Sequence, residues 1–247
     1  MKKEILSEFI KKYSLNGAIQ KCRWLSNAKD KTLTVSVAAE TRNLLAFVKL
    51  ANWDGFGDAE VGVGDTNTFT KMLSGITTDD IALTLNYNTD NTRIINVGVE
   101  YDGSSATITT SDLDTIPPSS SLKTLPVFNV EIVVNDDFKQ KFLKAKASLP
   151  DVNSFTVLMN KKSMLEMIIG YSNINSNRFT LKVDTQNGNN TIDKPMHFDA
   201  NYLKSILSAN SEAGDTTLFI SDDGLASISF TSGDFTSTYY LVPLDQD

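Results

Sequence analysis

The chain has 247 residues, 40% of them hydrophobic and 21% charged, a composition that can bury a core and excludes intrinsic disorder. Its net charge of −7 argues, taken whole, against nucleic acid, and no apolar run approaches the roughly 18 residues of a membrane helix. A single cysteine, Cys22, excludes an intrachain disulfide framework and points to a reducing, intracellular setting, expected to be cytoplasmic.

The first element is helical. Over residues 2–14, Ile5, Leu6, Phe9, Ile10 and Tyr13 recur at a spacing that places them on one face. Glu4 and Glu8 interrupt any signal-peptide core behind Met1-Lys2-Lys3. Strands rich in Val, Ile, Thr, Phe and Tyr follow at 18–25, 33–38 and 44–52. A second helix is predicted over about 66–75, carrying Phe69, Met72 and Leu73, before strands at 81–87, 94–101 and 106–110.

Residues 115–126, TIPPSSSLKTLP, hold three of the six prolines among serines and read as an extended connector. Beyond it, strand 127–134 leads to a third helix, 136–148, with Asp136 and Asp137 at its start. Strands at 154–160, 165–171 and 178–183 precede a fourth helix over 199–209, for which Asp199 is the expected N-cap. Strands 217–221, 226–231 and 236–242 close the chain, with Asp222-Asp223-Gly224 as a hairpin turn and Pro243 as a stop.

The halves repeat. Phe9-Ile10-Lys11 matches Phe142-Leu143-Lys144 at an offset of 133, and Phe69, Lys71 and Leu73 match Tyr202, Lys204 and Ile206 at the same offset. Thr84-Leu85 and Thr217-Leu218 repeat it again, which points to a duplicated unit. The fold class expected is α+β: two similar domains, 1–114 and 127–247, each with two helices packed on antiparallel sheet and joined by the connector 115–126.

Charge is sorted along the chain. The helical segments carry Lys2, Lys3, Lys11, Lys12, Lys71, Lys139, Lys141, Lys144, Lys146 and Lys204 against Glu4, Glu8, Asp136, Asp137 and Asp199. Ten cations against five acids leave the helices at +5 and everything else at −12. A single lysine on a helix is ordinarily a solvated residue, but four helices share this bias. None contains arginine, the side chain suited to bidentate base readout, so the expected contact is with phosphate and independent of sequence.

Catalytic signatures are missing from the sequence. His197 is the only histidine and reads as a packing or capping residue, and no zinc-ligand spacing occurs. Gly62-Val63-Gly64-Asp65 lacks the third glycine and the βαβ setting of a dinucleotide loop. Asp79-Asp80 and Asp222-Asp223-Gly224 read as turns. No nucleophile–base set can be named, so neither enzymatic activity, nor a cofactor, nor a metal site is expected.

The last fifty residues carry a family resemblance. MHFDANYLKSILSAN, TTLFISDDGLASISF and STYYLVPLDQD follow one another as strand, helix, strands and terminal strand in the order of the DNA polymerase sliding clamps. The chain resembles most the two-domain clamps of tailed phages, and it is similar to the proliferating-cell nuclear antigen type. Segments 41–58 and 161–176 depart from that template, and NGAIQKCRWLS fits its early strand loosely.

The resemblance implies a homotrimeric ring of six domains that encircles duplex DNA and tethers a polymerase, with a clamp loader among its partners. In a phage setting it would act in the host cytoplasm. The helices would line the hole, with Lys3, Lys11, Lys12, Lys71, Lys139, Lys141, Lys144, Lys146 and Lys204 as the DNA-contacting set. Clamp-binding peptides would enter an apolar pocket between domains, bordered by Leu122 and Leu125 of the connector and by Tyr240, Leu241 and Pro243, with Leu45 as a weaker candidate. A β-rich phage structural or binding module remains open as an alternative, though it leaves the basic helices and the shared offset unexplained. An enzyme with an unrecognised carboxylate site is a further one.

Overall fold

A computed structural model describes residues 1–122, 124–160, 164–172, 176–186 and 192–244. It divides into two compact units. Unit 1 comprises Met1–Glu40, Ala46–Ser121 and Gly233–Ser237; unit 2 comprises Thr41–Leu45, Leu122–Ser232 and Thr238–Asp247. No helix among the described residues is long and apolar enough to cross a membrane.

In unit 1, helix α1 (Lys3–Ser14) buries Leu6, Phe9, Ile10 and Tyr13, the stripe expected from their spacing. It stops because Leu15, Asn16 and Gly17 all take positive φ, and Ile19 N–H turns back onto the Ser14 carbonyl. That turn delays strand β1 to Cys22–Asn27, against an expected start at 18. Strands β2 (Thr32–Ala38), β3 (Leu44–Leu50) and β4 (Ala59–Val63) follow. The sequence hides β4, because its short Ala59, Val61, Val63 alternation runs through Gly62 and Gly64, which read as loop residues. A Cβ at Gly62 would collide with the Ser111 carbonyl, whose own amide donates to Gly62 O at 2.8 Å.

Helix α2 (Thr66–Ser74) is capped by Asp65, whose carboxylate accepts from Asn67 N–H at 2.9 Å and Thr68 N–H at 3.2 Å. Strands β5 (Ala82–Tyr87), β6 (Ile94–Tyr101) and β7 (Ser104–Thr109) form an antiparallel sheet in that order, while β4, β1, β2 and β3 lie side by side, in that order, in a larger one. The helices α1 and α2 pack beside each other. Trp24 anchors the core between Phe9 at 6.1 Å and Phe69 at 4.7 Å, and its indole N–H donates to Tyr13 Oη at 3.2 Å. The 51–58 loop has its own aromatic contact, Trp53 against Phe56 at 5.0 Å.

Unit 2 repeats the plan. Strand β8 (Phe128–Val134) leads into helix α3 (Asp136–Ser148), where Asn135, not an aspartate, provides the cap by accepting from Phe138 N–H at 2.9 Å. Strands β9 (Ser154–Met159), β10 (Leu165–Ile169), β11 (Phe179–Lys182) and β12 (Met196–Asp199) build a sheet ordered β11-β10-β9-β12. Helix α4 (Ala200–Ala209) packs against α3, and strands β13 (Thr216–Ser221), β14 (Ala226–Ser232) and β15 (Phe235–Leu241) complete the chain. Phe155 sits at the core centre between Phe142 at 5.7 Å and Phe198 at 5.4 Å.

The repeat is imperfect at one edge. In unit 2, β8 covers the outer edge of β13 over registers from Thr216↔Val134 to Ser221↔Phe128. In unit 1 the corresponding edge of β5 pairs with no strand among the described residues; an isolated bridge, Lys2↔Asp80, lies just before its start.

Candidate nucleic-acid and partner-peptide surfaces

Three of the nine lysines expected to face DNA are buried, which corrects their assignment. The Lys12 ammonium lies 3.2 Å from Glu8 and over the Phe235 ring at 5.2 Å, and the side chain is 1% exposed. Lys139 donates to the carbonyls of Ala213 at 2.7 Å and Gly214 at 3.1 Å, and pairs with Asp136 at 3.2 Å. Lys146 folds over the end of its own helix onto the carbonyls of Leu149 at 3.4 Å and Pro150 at 2.9 Å. Burial pushes its ammonium below the ordinary lysine range, with the Lys204 charge adding to the effect. Lys139 and Lys146 satisfy carbonyls at loop and helix ends, which need donors wherever water is excluded, while Lys12 is held by a carboxylate and a ring face.

Six lysines of the set remain at or near the surface. Lys3 is half-buried and donates to the Ile76 carbonyl, and Lys141 pairs with Asp137 one turn away. Lys11, Lys71, Lys144 and Lys204 are exposed and make no ion pair among the described residues. These four are the helix lysines related by the 133-residue repeat: Lys11 on α1 with Lys144 on α3, and Lys71 on α2 with Lys204 on α4. Each unit therefore offers one uncommitted cation on each helix of its pair. Nothing in a single helix pattern separates them from Lys12, Lys139 or Lys146; the offset does.

The partner-peptide candidates all belong to unit 2. Leu125 is 51% exposed and neighbours Val127, which is 82% exposed, so the connector's end offers an uncovered apolar surface. Leu45, Leu122, Tyr240 and Pro243 are half-buried. Leu241 is 1% exposed: strand alternation turns it to the core with Phe235 and Tyr239, opposite Tyr240, which removes it from the candidate surface.

Past β15 the chain is pinned on two sides, by Val242 N–H on the Asn43 carbonyl at 3.0 Å and Leu244 N–H on the His197 carbonyl at 2.8 Å. Pro243 and Leu244 thereby border a cavity of about 310 Å³ with Lys194, Pro195, Met196, His197, Asp223 and Gly224. Gly224 has φ +88°, and a Cβ there would stand 2.9 Å from Pro243 Cγ, so the turn and the close approach both require glycine.

His197 and Leu244 were not among the expected site residues. The His197 ring shares a hydrogen bond with Thr156 Oγ1 at 2.8 Å and lies 5.7 Å from Tyr171, and burial lowers its pKa. Arg23 was also unforeseen. Its guanidinium pairs with Glu60 at 2.9 Å and donates to the carbonyls of Leu113 at 2.6 Å and Ile116 at 2.8 Å, which fixes the start of the connector. The Cys22 thiol is buried and pushed up to about 12, unfit as a nucleophile. Among the described residues no group of histidine, cysteine and carboxylate side chains is placed to hold a metal ion.

Comparison with solved structures decides the fold. The chain superposes on the proliferating-cell nuclear antigen (PCNA) of A. fulgidus, solved with the C-terminal region of FEN-1 bound, with a TM-score of 0.72 at 15% identity. That match covers 100% of this chain and 98% of the other. The fold is that of a PCNA-type clamp. Entamoeba histolytica PCNA matches comparably, with a TM-score of 0.71 at 13% identity over 99% of this chain and 96% of its own. No protein-family model matches the sequence, and no curated protein sequence does.

Proposed function

We propose that the protein is a sliding clamp: a closed homotrimeric ring around duplex DNA that tethers a replicative polymerase and catalyses no reaction. The observation that carries this reading is the set Lys11, Lys71, Lys144 and Lys204. One exposed, unpaired cation recurs on each helix of a clamp fold at a single sequence offset, in a chain that is otherwise acidic. Lysines without a carboxylate partner attract phosphate through charge alone and read no bases, which suits movement along DNA.

Ring closure is supported by the sheet edges. Strands β7 and β11 are outermost in their sheets, and Phe179 on β11 is 41% exposed. Head-to-tail pairing of β7 in one copy with β11 in the next generates a closed cyclic assembly without leaving these edges bare. We further infer that residues 115–126 join two clamp domains, and that Leu125 with Tyr240 and Pro243 receives short apolar peptides of the polymerase and of a clamp loader.

Light scattering and primer extension test this together. The expected mass in solution is about three times the 27.1 kDa chain. The variant Lys11→Gln/Lys71→Gln/Lys144→Gln/Lys204→Gln should keep that mass while losing salt-sensitive association with duplex DNA and polymerase stimulation. A stable monomer at high concentration, or a variant that stimulates extension as well as the parent, would overturn the proposal.

A further inference from the structure

The uncovered edge of β5 is a feature that ring closure through β7 and β11 leaves unused. The Met1 terminal ammonium donates to Ile81 O at 2.9 Å, and Ile81 N–H donates to Met1 O at 3.0 Å. Lys3 N–H donates to Asp79 O at 2.8 Å beside them. Residues 1–3 thus begin an antiparallel ladder on 79–81. Because Ile81 directs both of its backbone groups away from β6, the period-two alternation directs those of Leu83 and Leu85 the same way. Ala82, Thr84 and Asn86 face β6 instead, opposite Glu100, Gly98 and Asn96.

Unit 2 contains the filled version of this arrangement. The positions of Leu83 and Leu85 correspond at the 133-residue offset to Thr216 and Leu218, which pair with Val134 and Ile132 of β8. Along β8 the residues alternate, with Val130, Ile132 and Val134 buried and the others half-buried. The bare edge has charge as well as register. Asp80, Glu100 and Asp102 line a cleft of about 660 Å³ with Ile81, Ala82 and Ser104 at the start of β5. Lys2 answers Asp80 there at 2.8 Å. Tyr87, 43% exposed, stands at the other end.

We propose that the β5 edge is a docking site for an extended segment of a partner protein, added as an antiparallel strand in the place that β8 occupies on β13. The segment enters beside Tyr87 and ends against Met1. It has aliphatic residues opposite Leu83 and Leu85 and a basic residue near its C-terminal end, toward the carboxylates of the cleft. Main-chain hydrogen bonds to Leu83 and Leu85 hold it, and the alternate side chains select it. This surface is distinct from the connector and C-terminal residues assigned above to clamp-binding peptides, so a partner could use both at once and gain from the linkage.

The probe is a synthetic peptide with the chain's own β8 sequence, VFNVEIVVN, followed by two lysines. The readout is amide hydrogen exchange of the full chain by NMR. In the free protein, Leu83 and Leu85 amides should exchange rapidly while Ala82 and Thr84 are protected. Saturating peptide should slow Leu83 and Leu85 by about tenfold or more and leave Ala82 and Thr84 unchanged. The same peptide N-methylated at alternate residues, so that its backbone cannot donate, should have no effect.

Protection of Leu83 and Leu85 in the dilute free protein would mean that the chain covers its own edge, and would overturn the proposal. Protection that grows with protein concentration would assign the edge to a second copy and overturn it equally. So would peptide binding that leaves both amides unprotected. Because the readout is local to β5, none of these results depends on trimer formation or DNA binding.

Discussion

Replacing Lys139 by methionine separates the two kinds of lysine that share these helices. The substitution keeps an unbranched chain of similar length but removes an ammonium that bonds the carbonyls of Ala213 and Gly214 and pairs with Asp136. Hydrogen bonds to a charged group contribute about 1.5–3 kcal/mol, and a buried carbonyl left without a donor costs about 1–3 kcal/mol. Asp136 is exposed and returns to water at little cost, and the methionine recovers the packing of the stem. The expected net loss is about 3 kcal/mol, which for a chain of this size lowers the melting temperature by about 6–12 °C. Lys144→Met, five residues along the same helix on its exposed face, should shift it by less than about 2 °C. Scanning calorimetry measures both, and duplex binding at two salt concentrations should show the reverse order, with Lys144→Met weakened and the folded Lys139→Met unchanged. A Lys139→Met protein with parental stability and reduced DNA association would refute the assignment of that ammonium to the fold.

Asp199→Ala removes acceptors for Asn201 N–H at 2.7 Å and Tyr202 N–H at 3.1 Å and should cost about 1 kcal/mol in urea denaturation. The hydroxyl of Ser237 is buried without a hydrogen-bond partner among the described residues, so Ser237→Ala should leave stability unchanged or raise it by up to about 1 kcal/mol. Burial holds the His197 pKa below its ordinary 6.5, so in the window below that value the unfolded chain binds more protons than the folded one. Stability should therefore fall as pH drops through 6.5 toward the folded value, and His197→Gln should flatten that part of the profile in denaturant midpoints measured from pH 7.5 to pH 5.

Much of the architecture is visible in the sequence because its local signals agree with the final packing. Asp199 precedes an apolar stripe and becomes its N-cap, and strand 94–101 is found at the residues expected for it, whereas the Asp65 cap of α2 was not foreseen. Boundaries fail where backbone conformation overrides side-chain pattern, as at Leu15–Gly17, and where a glycine such as Gly62 answers a distant carbonyl. The site is legible only in part for a similar reason. Lys139 finds its acceptors 74 and 75 residues away, and no helical periodicity contains that information. Leu241 and Tyr240 are adjacent in a plausible apolar end, yet strand alternation sends one to the core and leaves the other half-buried. The repeat is the better guide among the helix lysines: the four that recur are exposed, whereas Lys12, Lys139 and Lys146 have no lysine at the shared offset and are buried.

The chain's two tryptophans, Trp24 and Trp53, both lie in unit 1, one inside its aromatic core and the other in the 51–58 loop. Unit 2 has an equally aromatic centre made of phenylalanines, which are nearly silent when indole is excited. Intrinsic fluorescence therefore reads one half of the molecule while calorimetry reads both. Coincident transitions by the two methods would mean that the halves melt as one cooperative body, and a displaced pair would give each half its own stability without a single label being attached.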